Sequence, residues 1–385
     1  MFRIRLRVLP EGPADGSNHG DRIMDRIMDR ILNSFRKQAD WCRRLGSPFN
    51  GFICDLLAEI LDPGSRFGQR ILSWPGDAES DALALRAAAS FHALARSGNA
   101  AYLTDAYPPH QTSPDEIRKA IEQAIDEQDD FLHDYLDNPP QTNEVARSAA
   151  ILGGCLLIAE QTRLPLALFE LGASAGLNLC FDRYRFELGE TDPRGTDPGG
   201  TVWGNPQAAV VVRSSWQGDF PPLNAPLAVA QRAGCDTNPL DPGSPRDRER
   251  LLSYIWPDQI NRLSLTERAL DEASAAPWRV ERADAAAWVE DSLAAHTNPD
   301  QTRVLLNTIV WRYLPEETRQ RIRSSVDRFA EQATQRSPLA WLRIEDGESA
   351  EGADIRLNVW PGGQDRSLGL ADFHGRWVKW AIGGS

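Results

Sequence analysis

Residues 168–176 read Leu168-Phe-Glu-Leu-Gly-Ala-Ser-Ala-Gly176, an apolar run that ends in a turn of small residues. The apolar part, 166–171, predicts a buried strand, and a helical pattern begins at Leu177. A turn with few side chains lets a ligand approach the main chain, and the N–H groups at the start of the following helix favour an anionic group. Strand, turn and helix together predict an α/β nucleotide-binding unit.

A carboxylate, Glu170, lies near the end of this apolar strand. Burying a carboxylate without a partner is costly, so Glu170 is expected to contact a ligand or to belong to a polar network. Its oxygens suit an amine or a ribose hydroxyl, both of which donate hydrogen bonds.

Further apolar segments follow in the order that a parallel sheet requires. Strands are predicted at 227–235, 278–283, 303–310 and 339–344, helices at 258–273 and 315–332, and an antiparallel pair at 355–360 and 376–382. Residues 185–225 interrupt the first crossover and are interpreted as an insertion that forms a hairpin over the site. The predicted fold of 141–385 is therefore a Rossmann-like α/β domain closed by antiparallel strands.

The residues before 141 have a helical pattern instead. Apolar spacing predicts helices at 84–96 and 115–135, so 32–140 is interpreted as an α-helical N-terminal cap. A further helix is predicted at 144–161, at the start of the Rossmann-like domain, with Asn143 as its N-cap. Residues 1–31 are interpreted as an extension, disordered in part, that contains the tandem repeat Asp21–Ile31.

Composition restricts the classes of partner. The chain has 385 residues and a formal net charge of −13, which disfavours nucleic acid because phosphate neutralisation needs a basic face. A small molecule or a protein is the expected substrate. Five scattered cysteines and six dispersed histidines predict neither a disulfide framework nor a metal site.

A cytoplasmic location without a membrane span is expected. Arg3, Arg5 and Arg7 interrupt the apolar N-terminal stretch, so a signal peptide is not predicted. The sequence also lacks the run of roughly 18 apolar residues that a spanning helix requires.

The turn resembles the E-x-G-x-G-x-G loop of class I S-adenosylmethionine-dependent methyltransferases. Glu170, Gly172 and Gly176 occupy their places in that loop, while Ser174 replaces the central glycine. The resemblance implies S-adenosylmethionine as the cofactor, bound by these four residues and by Ala173.

Three later segments are similar to the same family in the same order. The resemblance implies that Asp236, after the second strand, takes the ribose hydroxyls and that Asp284, after the third, contacts the adenine amine. Asn307, near the end of the fourth strand, is implied to bind the cofactor where the transferred methyl lies. The insertion accounts for the long spacing between Glu170 and Asp236.

Five further residues are candidates for substrate contact because they lie near the predicted site. They are Asn143, Glu144, Arg147, Trp311 and Tyr313. A helix cap with a surface ion pair remains the alternative for the first three, and core or rim packing for the two aromatics. No general base is nominated, because alignment of the acceptor supplies most of the catalysis in methyl transfer.

The chain also resembles an uncharacterised bacterial family, domain of unknown function 2332, over most of 35–382. The resemblance rests on Gln141-Thr-Asn-Glu-x-x-Arg147, Glu170-Leu-Gly-Ala-Ser-Ala-Gly-Leu-Asn-Leu179, Gly234-Cys-Asp-x-Asn-Pro239, Val310-Trp-x-Tyr-Leu-Pro315 and His374-Gly-x-Trp377. It implies no established activity.

Two alternatives to a methyltransferase remain open. Residues 172–176 also fit G-x-S-x-G, the nucleophile elbow of α/β-hydrolases, with Ser174 as nucleophile and His374 as the available base. A hydrolase needs several strands before the elbow, whereas the sequence predicts helices there. The other alternative is a protein that binds an adenosyl ligand without catalysis.

Overall fold

A computed structural model describes residues 17–189, 200–296, 298–347, 349 and 351–381. The chain divides into two compact units, Met1–Pro140 with Trp256–Asp258, and Gln141–Ile255 with Gln259–Ser385. The N-terminal stretch 1–16 and the middle of the predicted insertion, 190–199, lie outside the described residues.

Seven α-helices form the described part of the first unit. They are α1 (Ser17–Arg44), α2 (Pro48–Ile60), α3 (Arg66–Leu72), α4 (Leu83–Ser97), α5 (Ala101–Ala106), α6 (Pro114–Glu127) and α7 (Asp129–Tyr135). Helix α1 runs through the predicted boundary at 31/32, so the tandem repeat is helical. The helix predicted at 115–135 is two helices, of which α6 starts with a capping box between Ser113 and Glu116.

The second unit combines helices and strands. Its α-helices are α8 (Ser148–Thr162), α9 (Pro245–Ser253), α10 (Ile260–Ser274), α11 (Ala285–Ala295) and α12 (Glu316–Glu331). Its strands are β1 (Leu166–Leu171), β2 (Arg185–Leu188), β3 (Thr201–Trp203), β4 (Val211–Gln217), β5 (Val229–Asp236), β6 (Glu281–Arg282), β7 (Thr302–Thr308), β8 (Leu339–Asp346), β9 (Ala353–Trp360), β10 (Arg366–Ala371) and β11 (Trp377–Trp380).

These strands form one sheet in the order β3-β2-β4-β11-β10-β9-β8-β7-β1-β5-β6. Strands β6, β5, β1, β7 and β8 are parallel neighbours. Ranked along the chain, these five stand in the order third, second, first, fourth, fifth. The direction of winding therefore reverses between β1 and β7, which leaves a crevice beyond the carboxyl ends of the two strands.

The described part of the segment predicted as an insertion adds strands to this sheet and is not a separate hairpin. Strand β2 pairs with β3 and β4, and β4 pairs with β11 at the opposite end of the sheet from β6. The predicted C-terminal pair is likewise a meander of three strands, because β10 lies between β9 and β11. The sheet is thus mixed but mostly parallel.

Helices cover both faces of the parallel strands, and every residue of β1 and β7 is buried. Leu166 and Leu168 of β1 belong to the core that contains α8, whereas Ala167 and Phe169 belong to the core that contains α11 and α12. The alternation of side chains along a strand then directs Glu170 to the α8 face.

Helix α8 lies close to the sheet because it contains two adjacent glycines. A Cβ atom on Gly154 would lie 2.5 Å from both δ-carbons of Leu342, and one on Gly153 would lie 2.7 Å from the Trp380 ring. Both contacts are shorter than packed carbon atoms tolerate. The predicted helix at 144–161 starts later than expected, since Val145–Arg147 is a 3₁₀ turn.

Within the described residues, no helix combines the length and apolar character needed to cross a membrane.

The close packing of α8 predicts that one substitution in this helix destabilises the protein. Alanine favours a helix over glycine by about 1 kcal/mol, but overpacking a core costs roughly 1–3 kcal/mol. We expect Gly154→Ala to lower the free energy of unfolding, measured by urea denaturation. A gain in stability would contradict the packing of α8 described here.

Candidate functional site

The turn after β1 has a backbone that only small residues adopt easily. Gly172, Ser174 and Gly176 have φ values of +64°, +52° and +76°. A Cβ atom on Gly172 would lie 2.5 Å from a methyl carbon of Val310, and one on Gly176 would lie 2.6 Å from the Trp278 ring. Glycine at these two positions therefore allows both the left-handed conformation and the close neighbours.

Side chains from neighbouring segments fix this turn. Asp236, at the end of β5, accepts hydrogen bonds from the backbone N–H of Ser174 at 3.0 Å and of Asn238 at 2.8 Å. Asn143 accepts one from the backbone N–H of Leu177 at 2.9 Å. The sequence-based prediction that Asn143 caps the helix of 144–161 is thus wrong, because it caps the segment after the turn.

That segment is a 3₁₀ helix, Leu177–Arg183, and not the expected α-helix. Asn143 already accepts a hydrogen bond from the first N–H of this short helix, so fewer free N–H donors remain there than the sequence predicted. The site depends instead on the polar side chains around the turn.

Three of those side chains are deeply buried and have polar atoms without a hydrogen-bond partner. Glu170 is 1% exposed, Ser174 is 2% exposed and Asn178 is fully buried. The Glu170 Oε2, the Ser174 Oγ and both amide atoms of Asn178 make no hydrogen bond. Leaving a buried polar group unpaired costs about 1–3 kcal/mol, more for a charged one, and such groups are uncommon in folded proteins.

The surroundings of Glu170 strongly disfavour its charged form. The pKa of Glu170 is raised to about 8, chiefly by burial; the neighbouring amide of Asn178 and the charge of Arg147 lower this pKa, and the carboxylate of Asp236 raises it. A cationic group from a ligand would reverse this shift because it favours the carboxylate.

Two predicted substrate residues lie in a buried charged network. Glu144 pairs with Arg262 at 2.6 Å. Arg147 donates to the carbonyl oxygens of Phe373, at 2.7 Å, and of Thr308, at 3.4 Å. Burial lowers the pKa of Arg147, and it lowers the pKa of the neighbouring His374 to about 4, so this histidine is neutral at pH 7.

The side chains of Asp284 and Asn307 form their hydrogen bonds outside the turn of 172–176. Asp284 is the N-cap of α11, where its side chain accepts from the backbone N–H of Ala287 at 3.0 Å. Asn307 donates to Glu345 at 2.6 Å and accepts from the indole of Trp341 at 2.8 Å. Asn307 pairs with Leu171 and points to the α12 face, opposite to Glu170.

The two predicted aromatic residues follow β7 in a 3₁₀ turn, Trp311–Tyr313. The Trp311 ring packs edge-on against Trp341, with centroids 5.6 Å apart. Tyr313 is 67% exposed and its hydroxyl accepts from Arg312. Trp311 therefore packs against the protein, whereas Tyr313 points to solvent.

Glu345 also belongs to this edge of the sheet, although it was not predicted from the sequence as a site residue. Its carboxylate accepts from the backbone N–H groups of Val310, at 3.1 Å, and of Trp311, at 3.1 Å, and so fixes the turn after β7. Burial raises the pKa of Glu345. The sequence does contain an indication of this role, because Glu345 lies near the end of an apolar strand, as Glu170 does.

In the described part of the chain, no group of three or more His, Cys, Asp or Glu side chains is arranged to hold a metal ion. The five cysteines are buried and unpaired.

The raised pKa of Glu170 predicts a pH-dependent stability difference. Since the native group binds its proton up to about pH 8 and the unfolded one only to about pH 4.3, the contribution of Glu170 to the free energy of unfolding falls as pH rises through this window. Glu170→Gln does not titrate, so its stability relative to wild type should rise by roughly 1 kcal/mol per pH unit.

Urea denaturation at several pH values between about 5 and 8 measures this difference. Glu331→Gln, an exposed position of α12, corrects for the loss of one negative charge elsewhere. A Glu170→Gln difference that is constant across the window would contradict a protonated, buried Glu170.

Comparison with known proteins gives one match, to a family model. No curated protein and no solved structure matches the chain significantly. A family model described as an uncharacterized protein conserved in bacteria, DUF2332, matches residues 32–380. The chain, matched over most of its length, belongs to the DUF2332 family.

Proposed function

We propose that the protein binds S-adenosylmethionine at the turn of 172–176 and transfers its methyl group to a small molecule or a protein. The observation that carries this proposal is the buried carboxylate of Glu170, which has an oxygen without a donor at the end of a central parallel strand. A ligand with a cationic amine supplies the missing partner, and the amino-acid part of S-adenosylmethionine has one.

The strand order supports the same proposal. The parallel strands β6-β5-β1-β7-β8 have the 3-2-1-4-5 order of doubly wound sheets that bind nucleotide cofactors. In such sheets the ligand lies beyond the carboxyl ends of the strands, where the winding reverses. The turn of 172–176 follows β1, which flanks that point.

Asp236 supports the adenosyl part of the proposal. It ends β5, the parallel neighbour of β1, and its two oxygens each accept one backbone hydrogen bond. A carboxylate has about four acceptor sites, so capacity remains for the ribose hydroxyls. Asp284 follows β6, the next strand, where the adenine amine is expected.

When bound, S-adenosylmethionine supplies an electrophilic methyl group on its sulfonium. The chain itself needs to bind the cofactor and align the acceptor, and such positioning supplies much of the rate enhancement. Arg147 lies near Glu170, and the neutral His374 lies near Arg147, but neither is assigned a catalytic role.

Ser174 as a hydrolase nucleophile is less well supported. Its positive φ fits a strained elbow, yet no strand precedes β1 within 17–165, whereas the hydrolase fold places several strands before its elbow. The Oγ atom of Ser174 is buried and makes no hydrogen bond, so it has no base to activate it.

Thermal unfolding with S-adenosylhomocysteine tests the proposed cofactor. A ligand at about 100 times its Kd stabilises the native state by roughly 2.7 kcal/mol, so the wild type should show a clear, saturable rise in Tm. Glu170→Gln and Asp236→Asn keep the shape of each side chain and should reduce the rise strongly. Glu331→Gln and Asp291→Asn, both exposed, are the matched controls and should respond like the wild type.

A wild type that does not respond to the ligand would contradict both the methyltransferase and the non-catalytic adenosyl-binding protein. If binding is found, release of S-adenosylhomocysteine from S-adenosylmethionine in the presence of an acceptor distinguishes the two.

A further inference from the structure

A groove of about 360 Å³ lies on the face of β8 and β9 that α12 covers. We propose that this groove, here called the tryptophan groove, binds a small organic cation, an amine with an apolar body. It is lined by Trp311, Trp341 and Trp360 and by the acidic residues Asp327, Glu345 and Asp354, together with arginines considered below.

The three indole rings provide the apolar surface. Trp311 and Trp341 meet edge-on at 5.6 Å between ring centroids, and Trp360 lies on β9. Tryptophan has the most favourable ring for a cation, and burial of an aliphatic or aromatic body against such rings adds apolar stabilisation. The walls therefore favour an organic ligand over a fully hydrated ion.

Two of the carboxylates face each other across a pair of strands. Glu345 of β8 and Asp354 of β9 are directly opposite each other in the antiparallel pair. Like charges at such positions repel and destabilise the pair of strands. Neither Asp354 nor Asp327 forms an ion pair with any described residue, so a bound cation would relieve the repulsion.

The arginines of the groove are already engaged. Arg343 and Arg356 share the carboxylate of Asp365, at 2.6 Å and 2.9 Å. The Arg343 guanidinium lies 4.6 Å from the centre of the Trp341 ring, and that of Arg323 lies 5.4 Å from the centre of Trp311. These groups form walls of the groove, and Arg356 is also attracted by Asp354. The lining nevertheless holds five carboxylates against three guanidinium groups, so it keeps an excess of negative charge.

The position of the groove connects it with the proposed reaction. Trp311 follows β7, and Glu345 lies one residue before the end of β8, so the groove reaches the carboxyl ends of the parallel strands. The next step rests on the proposed function: the methyl acceptor that the groove selects is an amine. The binding of a cation itself does not depend on that function.

Titration with phenethylamine, an ammonium ion at neutral pH, tests the groove in the full-length protein without cofactor. Tryptophan fluorescence should change saturably. Two probes of similar shape, the neutral 2-phenylethanol and the anionic 3-phenylpropionate, should bind at least about tenfold more weakly because they lack the charge.

Asp354→Asn should weaken phenethylamine binding by about tenfold or more, and it should not impair folding because it removes a repulsion from Glu345. Asp291→Asn, on the exposed side of α11, is the matched control and should bind like the wild type. Equal binding of the three probes, a preference for the anion, or no saturation at millimolar phenethylamine would each overturn the proposal. None of these outcomes affects the response to S-adenosylhomocysteine, so the two proposals fail separately.

Discussion

The buried carboxylate of Glu170 is the constraint on which the interpretation of this protein depends. It lies on a strand whose residues are all buried, and burial raises its pKa to about 8. A glutamine or an apolar side chain would pack there at lower cost, since desolvation of a carboxylate is repaid only by a partner. With Ser174 and Asn178 it forms a small group of polar side chains that hold buried atoms without a hydrogen-bond partner.

The other polar side chains at this edge of the sheet have structural partners. Asp236 binds two backbone N–H groups, Asn143 binds one, and Glu345 binds the turn after β7. Each holds a loop at the carboxyl end of a parallel strand, so that the loops keep a fixed shape. Unlike these three side chains, Glu170, Ser174 and Asn178 have buried oxygens without a hydrogen-bond donor. The same edge therefore combines rigid loops with unsatisfied polar atoms, as a preorganised binding site requires.

The apolar runs of the sequence predicted much of the central sheet. The predicted strand at 166–171 coincides with β1, and those at 303–310 and 339–344 lie within two residues of β7 and β8. Strand β10 was missed because glycine and polar residues interrupt its pattern. The extension by β2 and β4 depends on pairing with the distant β11, which no local pattern indicates.

The candidate site was predictable only in part, for a similar reason. The turn of 172–176 and Asp236 are visible as motifs, and the structure joins them by a hydrogen bond. Asn307 has its partners, Trp341 and Glu345, on β8, so its orientation depends on contacts between strands. Asp284 occupies a cap position, which is a local role that a motif does not distinguish from ligand binding.

A crystal structure with S-adenosylhomocysteine is the most direct test of cofactor binding at this turn. We expect the ligand along the turn of 172–176, with its amino group within hydrogen-bond distance of the Glu170 carboxylate and its ribose beside Asp236. An unoccupied turn at saturating ligand, or a ligand bound elsewhere on the protein, would contradict it.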